Sequence, residues 1–395
     1  MTVRWILWSL KRMDWVLVAV VALLLGVGVL FVFSADSRGG NPALGPLYQK
    51  QLVWMAVGLV CFFGVALTDY HLWIRLAWWA YGLALLLLIL VFVPHVGLKI
   101  FGANRWIQVA GLGVFQPAEL MKLATVLILT RLFGWPGGRA RLRRLVVLGL
   151  ALVLAPMALI IKQPDLGTAL VFLPLLAAIM FAAGVPGRIL WPLAALAALA
   201  VMLVLAVIVV PPKLGWADSR QERLIRMVGL NPYQRDRILV FLDGERDPLG
   251  AGWNKAQSQI AIGSGRLWGK GYLQGTQNIL GFLPRTVAPN DFIFSVIAEE
   301  KGFVGALAVL FLFALMIHSA LRAAASAADK MGRLLCVGVV TIVFCHVFIN
   351  LAMTIGVLPI TGIPLPLISY GGTFMVGTLT ALGITQSVYS RGDWR

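Results

Sequence analysis

Residues 15–34 read WVLVAVVALLLGVGVLFVFS, a run without a charged side chain. A helix rises about 1.5 Å per residue, so about 20 apolar residues span the hydrocarbon core of a bilayer. The whole chain has this character, since 60% of its 395 residues are hydrophobic and only 12% are charged. Soluble proteins average about 45–50% apolar and 25% charged residues. The sequence therefore predicts an all-α, polytopic membrane protein.

Further apolar stretches follow the first, which gives about ten predicted transmembrane helices. Glycine and proline recur inside them, as is common in membrane helices. We expect residues 1–395 to form a single membrane domain. The predicted spans lie near residues 15–34, 50–67, 77–94, 117–133, 145–162, 166–183, 189–210, 292–313, 333–355 and 373–390.

Basic side chains are concentrated on one side of this predicted topology. Lys and Arg are retained in cytoplasmic loops, so both termini are predicted to be cytoplasmic. Residues 211–290, between the seventh and eighth spans, then form one large extracytoplasmic loop. The formal net charge of +17 is mostly this cytoplasmic collar, which argues against a nucleic-acid partner. The collar includes Lys11, Arg12, Arg143, Arg144, Arg322, Lys330, Arg333 and Arg391.

The cysteines and histidines do not form a recognisable site. Cys61, Cys336 and Cys345 all fall inside predicted spans, so they predict neither a disulfide framework nor a CxxC metal site. The four histidines show no zinc-ligand spacing. The first apolar run is long enough to span the membrane, so we interpret it as an anchor rather than a cleaved signal peptide.

Three outer loops, 95–116, 211–290 and 356–372, are long and rich in Gly, Pro and aromatic residues. Loops beyond about 12–15 residues are usually functional or disordered, and this apolar composition argues against disorder. We therefore expect function to be concentrated in these loops. Within the largest, Gly263–Gly271 lacks the spacing of a nucleotide-binding loop, although its backbone N–H groups with Arg266 and Lys270 are a candidate phosphate contact.

Asp291 ends the largest loop and opens an apolar helix that continues to Glu299 and Glu300. An ionisable residue at a membrane boundary is costly and therefore a candidate functional residue. The alternative is that Asp291 only caps the helix. Glu299 lies about 12 Å deeper and about 80° around the helix, so we expect it to line a polar cavity with Asp291 and contact substrate. Glu300 points away and is expected to pair within the bundle.

Asp165 and Lys162 lie together at the outer end of the predicted sixth span, in KQPDLGT. Helix capping by Asp165 and a functional role are equally good interpretations. The neighbouring Lys162 favours a network in which a cation and a carboxylate meet near substrate. We therefore count both as candidate substrate-binding residues.

Glu119 and Lys122 are three residues apart, so both project from the same side of the predicted fourth span. An internal ion pair is one interpretation. In the other, Lys122 binds an anionic substrate group. Arg105, which precedes Trp106 in an outer loop, is a second candidate for that role or a positional anchor at the interface.

Taken together, several motifs in this order resemble the SEDS family of bacterial membrane proteins (shape, elongation, division and sporulation). The resemblance covers nearly the whole chain. Gly275-Thr276-Gln277 and Ile355–Pro359 favour the elongation branch over the division branch. The motifs are Phe115–Glu119 (FQPAE), Gln163–Thr168 (QPDLGT), Pro232–Arg237 (PYQRDR), Gln257–Gly265 (QSQIAIGSG), Asp291–Phe294 (DFIF) and Pro364–Gly372 (PLPLISYGG).

The resemblance implies a ten-span peptidoglycan polymerase that joins lipid II units outside the cytoplasmic membrane with a class B penicillin-binding protein. The catalytic aspartate of the family falls on Asp291, and other functionally important polar positions fall on Asp165, Lys122 and Glu119. It also implies a divalent cation, Mg²⁺ or Mn²⁺. The chain departs from the family pattern at Pro289-Asn290, where His-Thr is usual, at Ala118, where Ser is usual, and at Arg266, where Gly is usual.

With this resemblance, we expect Asp291 to act as general base in an inverting glycosyl transfer. Lys122, Arg105 and a bound cation would stabilise the polyprenyl pyrophosphate leaving group. Two alternatives stay open. A flippase for lipid-linked oligosaccharides needs similar internal charges, and a non-catalytic scaffold for a penicillin-binding protein would use Asp291 only as a helix cap.

Overall fold

The computed structural model describes residues 9–37, 47–100, 103–109, 113–135, 139–216, 218–227, 231–243, 247 and 250–392. The chain divides into two compact units. The first unit contains residues 1–77, 254–358 and 362–395, and the second contains residues 78–253 and 359–361. The segment 211–290 thus contributes to both units, and Asp291 belongs to the first.

The structure is mostly helical, and we number its helices in chain order from Trp15. Each predicted span lies on one of these helices. The helices are α1 (Trp15–Asp36), α2 (Leu47–Leu67), α3 (Tyr70–Arg75), α4 (Ala77–Leu90), α5 (Pro117–Gly134), α6 (Arg139–Lys162), α7 (Leu166–Ala182), α8 (Gly187–Lys213), α9 (Asp218–Met227), α10 (Pro232–Leu242), α11 (Ala251–Ser264), α12 (Thr276–Ile279), α13 (Ile293–Ala325), α14 (Lys330–Thr354) and α15 (Gly372–Ser390).

Among the described residues, six helices are long and apolar enough to cross a bilayer. They are α1, α2, the Leu142–Lys162 part of α6, α8, α13 and α14. Helices α4 and α7 are apolar but shorter. These lengths and compositions agree with a polytopic membrane protein. The count of ten spans and their orientation stay predictions.

In the first unit, the apolar faces of the long helices form one bundle. Helix α13 packs against α1, α14 and α15, and α15 packs closely along α2. Close packing of α1 depends on Gly28, because a Cβ there would come within 2.6 Å of the Leu367 carbonyl oxygen. The chain after α14 therefore approaches the backbone of α1 directly.

The short loop after α2 is joined to the start of α14 by a charged cluster. His71 contacts Asp69 through Nδ1 at 2.8 Å and Asp329 through Nε2 at 2.7 Å. Asp329 also caps α14 by accepting a hydrogen bond from the Gly332 N–H. Burial lowers the pKa of His71, but its hydrogen bonds to the two carboxylates outweigh burial and hold the pKa above the ordinary value.

In the second unit, α5, α6 and α7 pack against one another, and α8 packs against α7, α9 and α10. Most of α8 is exposed, and the residues it buries are Ile208 and Pro211. Ile208 packs with Ile225 and Leu239 in a small apolar cluster. An apolar helix with this much exposed surface is suited to contact with lipid.

The 95–116 loop of the second unit forms a small antiparallel sheet, so the all-α prediction is wrong for this loop. Its strands are β1 (Gly97–Ile100), β2 (Ala103–Val109) and β3 (Gly113–Phe115), in the order β1-β2-β3. Gly97 pairs with Ile107, and Ile107 pairs with Phe115. The sheet carries Arg105 on its central strand.

Helix α13 is broken at Gly302, whose backbone angles are φ 65° and ψ −164°. The span predicted at 292–313 is therefore divided into a short first half, residues 293–301, and a long second half, residues 303–325. Residues 292–300 are all buried, whereas Phe303, Leu307 and Phe311 on the second half are exposed. Protein thus encloses the first half, and only the second half presents apolar side chains outward.

The free backbone groups at this break are bonded to residues 266–271. The N–H groups of Lys270 and Gly271 donate to the carbonyls of Glu299 and Glu300, each at 3.0 Å. The N–H groups of Phe303 and Val304 donate to the carbonyls of Arg266 and Leu267, at 2.8 and 3.1 Å. Broken helices are tolerated at membrane depth when neighbouring protein satisfies the freed groups. Within the candidate phosphate contact at 263–271, the N–H groups of Lys270 and Gly271 thus brace α13 and are not available to a phosphate.

Candidate active site

Asp291 lies between a tight turn and the start of α13. The N–H groups of Asn290, Asp291 and Phe292 all donate to the Val287 carbonyl, at 3.2, 2.9 and 3.2 Å. Helix α13 begins at Ile293, and its N-cap residue, Phe292, makes no side-chain cap hydrogen bond. Asp291 therefore stands one residue before the N-cap, and it is half-buried.

The carbonyls of residues 289–291 are held by groups distant in the sequence. The Tyr370 N–H donates to Pro289 at 2.9 Å, and the Ser369 hydroxyl donates to Asn290 at 2.5 Å. Asn350 Nδ2 donates to the Asp291 carbonyl at 2.9 Å. The backbone around Asp291 is thus fixed on both its N–H and its C=O sides.

An ion pair anchors the turn that leads to Asp291. Arg285 Nε lies 2.7 Å from Asp36 Oδ1, and Asp36 is buried at the end of α1. The second carboxylate oxygen of Asp36 accepts a hydrogen bond from the Leu47 N–H at 3.1 Å. The charge of Asp36 is therefore neutralised, and the turn is joined to two other parts of the first unit.

Glu299 and Glu300 are buried in the first half of α13, and both carboxylates accept hydrogen bonds from neighbouring segments. Glu299 accepts from Lys270 Nζ at 2.6 Å and from the Gln277 N–H at 3.0 Å, and only 1% of the residue is exposed. Glu299 is thus buried and paired with Lys270, and the expectation that it contacts substrate stays a prediction. Glu300 accepts a hydrogen bond from the Ser34 hydroxyl, which agrees with pairing inside the bundle.

In the second unit, Glu119 and Lys122 form a buried ion pair on α5. Lys122 Nζ lies 2.9 Å from Glu119 Oε2, and the two side chains are 2% and 8% exposed. The i,i+3 spacing on a helix places the two groups together, as the sequence predicted. The pair keeps both charges compensated in an apolar environment.

Asp165 caps α7 and also holds polar neighbours. Its Oδ1 accepts from the Thr168 N–H at 3.2 Å, and its Oδ2 accepts from Gln116 Nε2 at 3.1 Å. Arg105 Nη1 lies 3.9 Å from Asp165 Oδ1. Asp165 therefore caps α7, and the cation near it is Arg105 rather than the predicted Lys162.

Arg105 and Lys162 have different surroundings in the second unit. Arg105 is buried, and its guanidinium donates to the carbonyls of Gln163, at 3.2 Å, and Pro164. It thus reaches from β2 to the loop that carries Asp165. Lys162 is exposed at the end of α6, so the structure does not bring it into the buried cluster.

The residues do not form a ready-made cation site. Within the described ranges, no group of three or more His, Cys, Asp or Glu side chains is placed to hold a metal ion. Two buried carboxylates of the second unit, Glu119 and Asp165, face the cations Lys122 and Arg105. We therefore derive no step of the chemistry through a metal ion.

The sequence and fold match a known family over almost their whole length. The family model for FtsW, RodA and SpoVE, described as a cell cycle protein, matches residues 14–392. The chain belongs to this family. The resemblance inferred from the motifs is thereby confirmed.

Curated members of the family are similar over nearly full length. Peptidoglycan glycosyltransferase RodA of Treponema pallidum is 33% identical, over 96% of this chain and 98% of that protein. Peptidoglycan glycosyltransferase MrdB of Escherichia coli is 34% identical, over 97% of this chain and 95% of that protein.

Solved structures of family members share the fold. The Thermus thermophilus rod shape determining protein RodA is 29% identical with a TM-score of 0.67, and the match covers 97% of this chain and 98% of that one. A chain from a peptidoglycan synthase complex that coordinates polymerization and crosslinking is 34% identical with a TM-score of 0.72, covering 95% of this chain and 97% of that one.

Sequence reasoning missed the groups that hold the family's aspartate in place. Asn350, Ser369 and Arg285 contact the segment around Asp291 or its anchor, and none of them was a candidate. The available signal for Asn350 was a single amide within the apolar helix α14. The signal for Ser369 was its place in the motif Pro364–Gly372, which had no assigned role.

Proposed function

We propose that this protein is a peptidoglycan glycosyltransferase that polymerises lipid II at the outer face of the bacterial cytoplasmic membrane during cell elongation. Similar family members with nearly the same length are named peptidoglycan glycosyltransferases. The observation that carries the proposal is Asp291, a half-buried carboxylate whose backbone is fixed on both sides. A positioned carboxylate of this kind is suited to general base catalysis.

Asp291 takes the proton from the 4-hydroxyl group of the acceptor GlcNAc. The hydroxyl oxygen then forms a bond to the anomeric carbon of the donor MurNAc, with inversion. The bond from that carbon to the pyrophosphate oxygen breaks, and polyprenyl pyrophosphate leaves with the electron pair. A glycosidase needs a second carboxyl group to protonate its leaving oxygen. Pyrophosphate leaves without a proton, so one base is sufficient.

Positive groups of the second unit are proposed to stabilise pyrophosphate. Lys122 and Arg105 are paired with Glu119 and Asp165, so an anionic ligand has to compete with a carboxylate at each position. Lys162 is exposed, so it is suited to contact the pyrophosphate at the protein surface. Charge-assisted hydrogen bonds to phosphate are among the stronger polar contacts.

A divalent cation, Mg²⁺ or Mn²⁺, stays a proposal drawn from the family resemblance. Mg²⁺ commonly binds through one or two carboxylates together with substrate phosphates, so a complete protein cage is not required. Chelation by EDTA is expected to stop strand synthesis, and added Mg²⁺ or Mn²⁺ to restore it. Full synthesis in excess EDTA would refute the requirement.

A class B penicillin-binding protein is the proposed partner, which would crosslink the strands that this protein makes. The support is that one similar solved chain belongs to a peptidoglycan synthase complex. Co-purification with this partner and faster strand synthesis in its presence are the expected results.

The test is polymerisation of purified lipid II, with strands resolved on a gel, by wild type, Asp291→Asn and Asp291→Ser, each with and without the partner. Both variants should lose about 10²–10⁴-fold in rate, the range that a general base supplies. Thermal unfolding of each variant should match wild type.

The outcomes separate the alternatives. Strands from wild type but not from the folded variants support the polymerase and its base. Equal strands from Asp291→Asn would move the base to another residue. Because Phe292 rather than Asp291 is the N-cap residue of α13, an active Asp291→Ser protein would mean that the Asp291 carboxylate is not the base. No strands from folded wild type would favour the flippase or the scaffold.

A further inference from the structure

Three successive carbonyls, those of Pro289, Asn290 and Asp291, each accept a hydrogen bond from residues 350–370. We call the donors, which are Tyr370 N–H, the Ser369 hydroxyl and Asn350 Nδ2, the carbonyl clamp. Tyr370 uses its backbone, so any residue but proline at that position makes the same bond. Asn350 and Ser369 use side chains, so their identity matters.

The Asp291 carbonyl is open to Asn350 because α13 does not use it. The N–H groups of Ser295 and Val296 both donate to the Phe292 carbonyl, at 3.0 and 3.4 Å. A carbonyl before the first turn of a helix needs a partner from elsewhere when water is excluded. Asn350 supplies that partner, and the bond orients the peptide plane that follows the Asp291 Cα atom.

Asn350 joins two distant segments through one amide group. It is fully buried, and its Nδ2 donates to the Asp291 carbonyl at 2.9 Å and to the Ile363 carbonyl at 2.8 Å. Both neighbours are acceptors, so the nitrogen has to face them. The bond to Ile363 fixes the Asn350 side chain to the loop after α14 while the other bond fixes Asp291.

Stability alone does not account for an amide at this position. The Oδ1 atom of Asn350 accepts no hydrogen bond from the residues that the structure describes. A buried acceptor without a partner costs free energy, and Asn is a weak helix former. Residues that break local rules of stability in this way are expected at functional sites.

Ser369 holds the middle carbonyl and is itself fixed. Its hydroxyl donates to Asn290 and accepts from the Leu365 N–H at 2.8 Å. Its own carbonyl accepts from Gln51 Nε2 on α2 at 3.3 Å. The hydroxyl thus has a defined direction and does not exchange between partners.

We infer that Asn350 and Ser369 are positioning residues that set the direction of the Asp291 carboxylate. This inference rests on the proposed function, in which Asp291 is the base. The hydrogen bonds from these two side chains to the segment go to its backbone carbonyls, so the proposed effect on the chemistry acts through Asp291. A misplacement of about 1 Å can lower a rate about 10²-fold.

The experiment measures kcat and KM for lipid II in Asn350→Leu, Ser369→Ala and Ser369→Thr, together with thermal unfolding. Asn350→Leu and Ser369→Ala are expected to lower kcat about 10- to 100-fold with KM within about twofold of wild type. Ser369→Thr retains the hydroxyl and should recover most of the rate.

Ser387→Ala is the matched control. Ser387 is fully buried in the same unit, and its hydroxyl donates to the Thr68 carbonyl at 2.5 Å, so the variant loses the same kind of bond elsewhere. Its kcat should stay within about twofold of wild type. An equal fall in kcat in Ser387→Ala would mean that general loss of stability explains the Ser369→Ala result.

A double-mutant cycle identifies the route of action. In the Asp291→Asn background, Ser369→Ala should have no further effect on the residual rate, because there is no base left to position. A further loss of the same size would overturn the inference. If Asp291→Asn is inactive while Asn350→Leu and Ser369→Ala keep full kcat, the inference fails and the proposed function stands. If Asp291→Asn itself is fully active, the assignment of the base fails first.

Discussion

Substitution of Gly302 by alanine is expected to destabilise the first unit. The residue has φ 65° and ψ −164°, a region that glycine alone occupies readily. An added Cβ would lie 2.4 Å from the Gly269 nitrogen and 2.5 Å from the Leu267 oxygen. Both are backbone atoms, so no side-chain rotation relieves the contact.

The magnitude follows from these two effects. The backbone conformation costs a residue with a Cβ about 1–3 kcal/mol. Relief of the contact requires the break in α13 to separate from residues 266–271, where four backbone hydrogen bonds of 2.8–3.1 Å join them. Each such bond contributes about 0.5–1.5 kcal/mol. Loss of two of them brings the expected destabilisation to about 2–6 kcal/mol.

The assay is thermal unfolding of purified protein in detergent, with Gly64→Ala as the matched control. A Cβ at Gly64 on α2 meets nothing within 4 Å, so that variant should be neutral or slightly stabilised. At about 2–4 °C per kcal/mol, Gly302→Ala should lower the apparent Tm by about 4–24 °C. A difference from Gly64→Ala of less than about 2 °C would refute the assigned role of the break.

Three further results are expected. Glu119→Gln should cost about 3–5 kcal/mol in thermal unfolding because it removes the carboxylate that compensates buried Lys122, and Glu119→Gln with Lys122→Met should recover most of it. His71→Gln should lower Tm more near pH 6 than near pH 8.5, because the raised pKa of His71 gives stability present below about 6.5 and lost as pH rises through the folded value. A pH-independent difference would contradict this. Asp165→Asn retains an oxygen that can accept from the Thr168 N–H but removes the carboxylate that faces buried Arg105, so its Tm should fall. At a temperature where the variant is folded, it should lose at least about tenfold in strand synthesis if the charge acts on substrate; full synthesis would leave Asp165 a helix cap.

The apolar spans could be predicted because a helix that crosses the bilayer requires a long, continuous run of apolar residues. The break at Gly302 was missed because a hydropathy window averages over it. The available signal was Glu299, Glu300 and Lys301 in succession before a glycine, which is too costly in a continuous span. The sheet of residues 97–115 was missed because its three strands are short and lie in a loop.

The site was predictable where partners are close in sequence. Glu119 and Lys122 meet through helix geometry, and Asp165 could be placed at a helix start from its neighbours. The ion pair of Glu299 was not predicted because its partner, Lys270, lies in another segment, and helix geometry alone gives only the direction of a side chain. A single sequence does not reveal which distant cation satisfies a buried carboxylate.

The motif Pro364–Gly372 lies far from Asp291 in the sequence, but Ser369 and Tyr370 in this motif bond to the segment just before Asp291. Leu367 has φ 63°, a conformation that costs a non-glycine residue about 1–3 kcal/mol and persists only when its surroundings enforce it. Gly28 lets α1 contact the backbone at Leu367 directly, and this contact holds the strained loop in place. The strain is therefore maintained at the loop that presents Ser369 and the Tyr370 N–H to the carbonyls before Asp291. A strained conformation at this loop is expected if, as proposed, the loop positions the segment that carries Asp291.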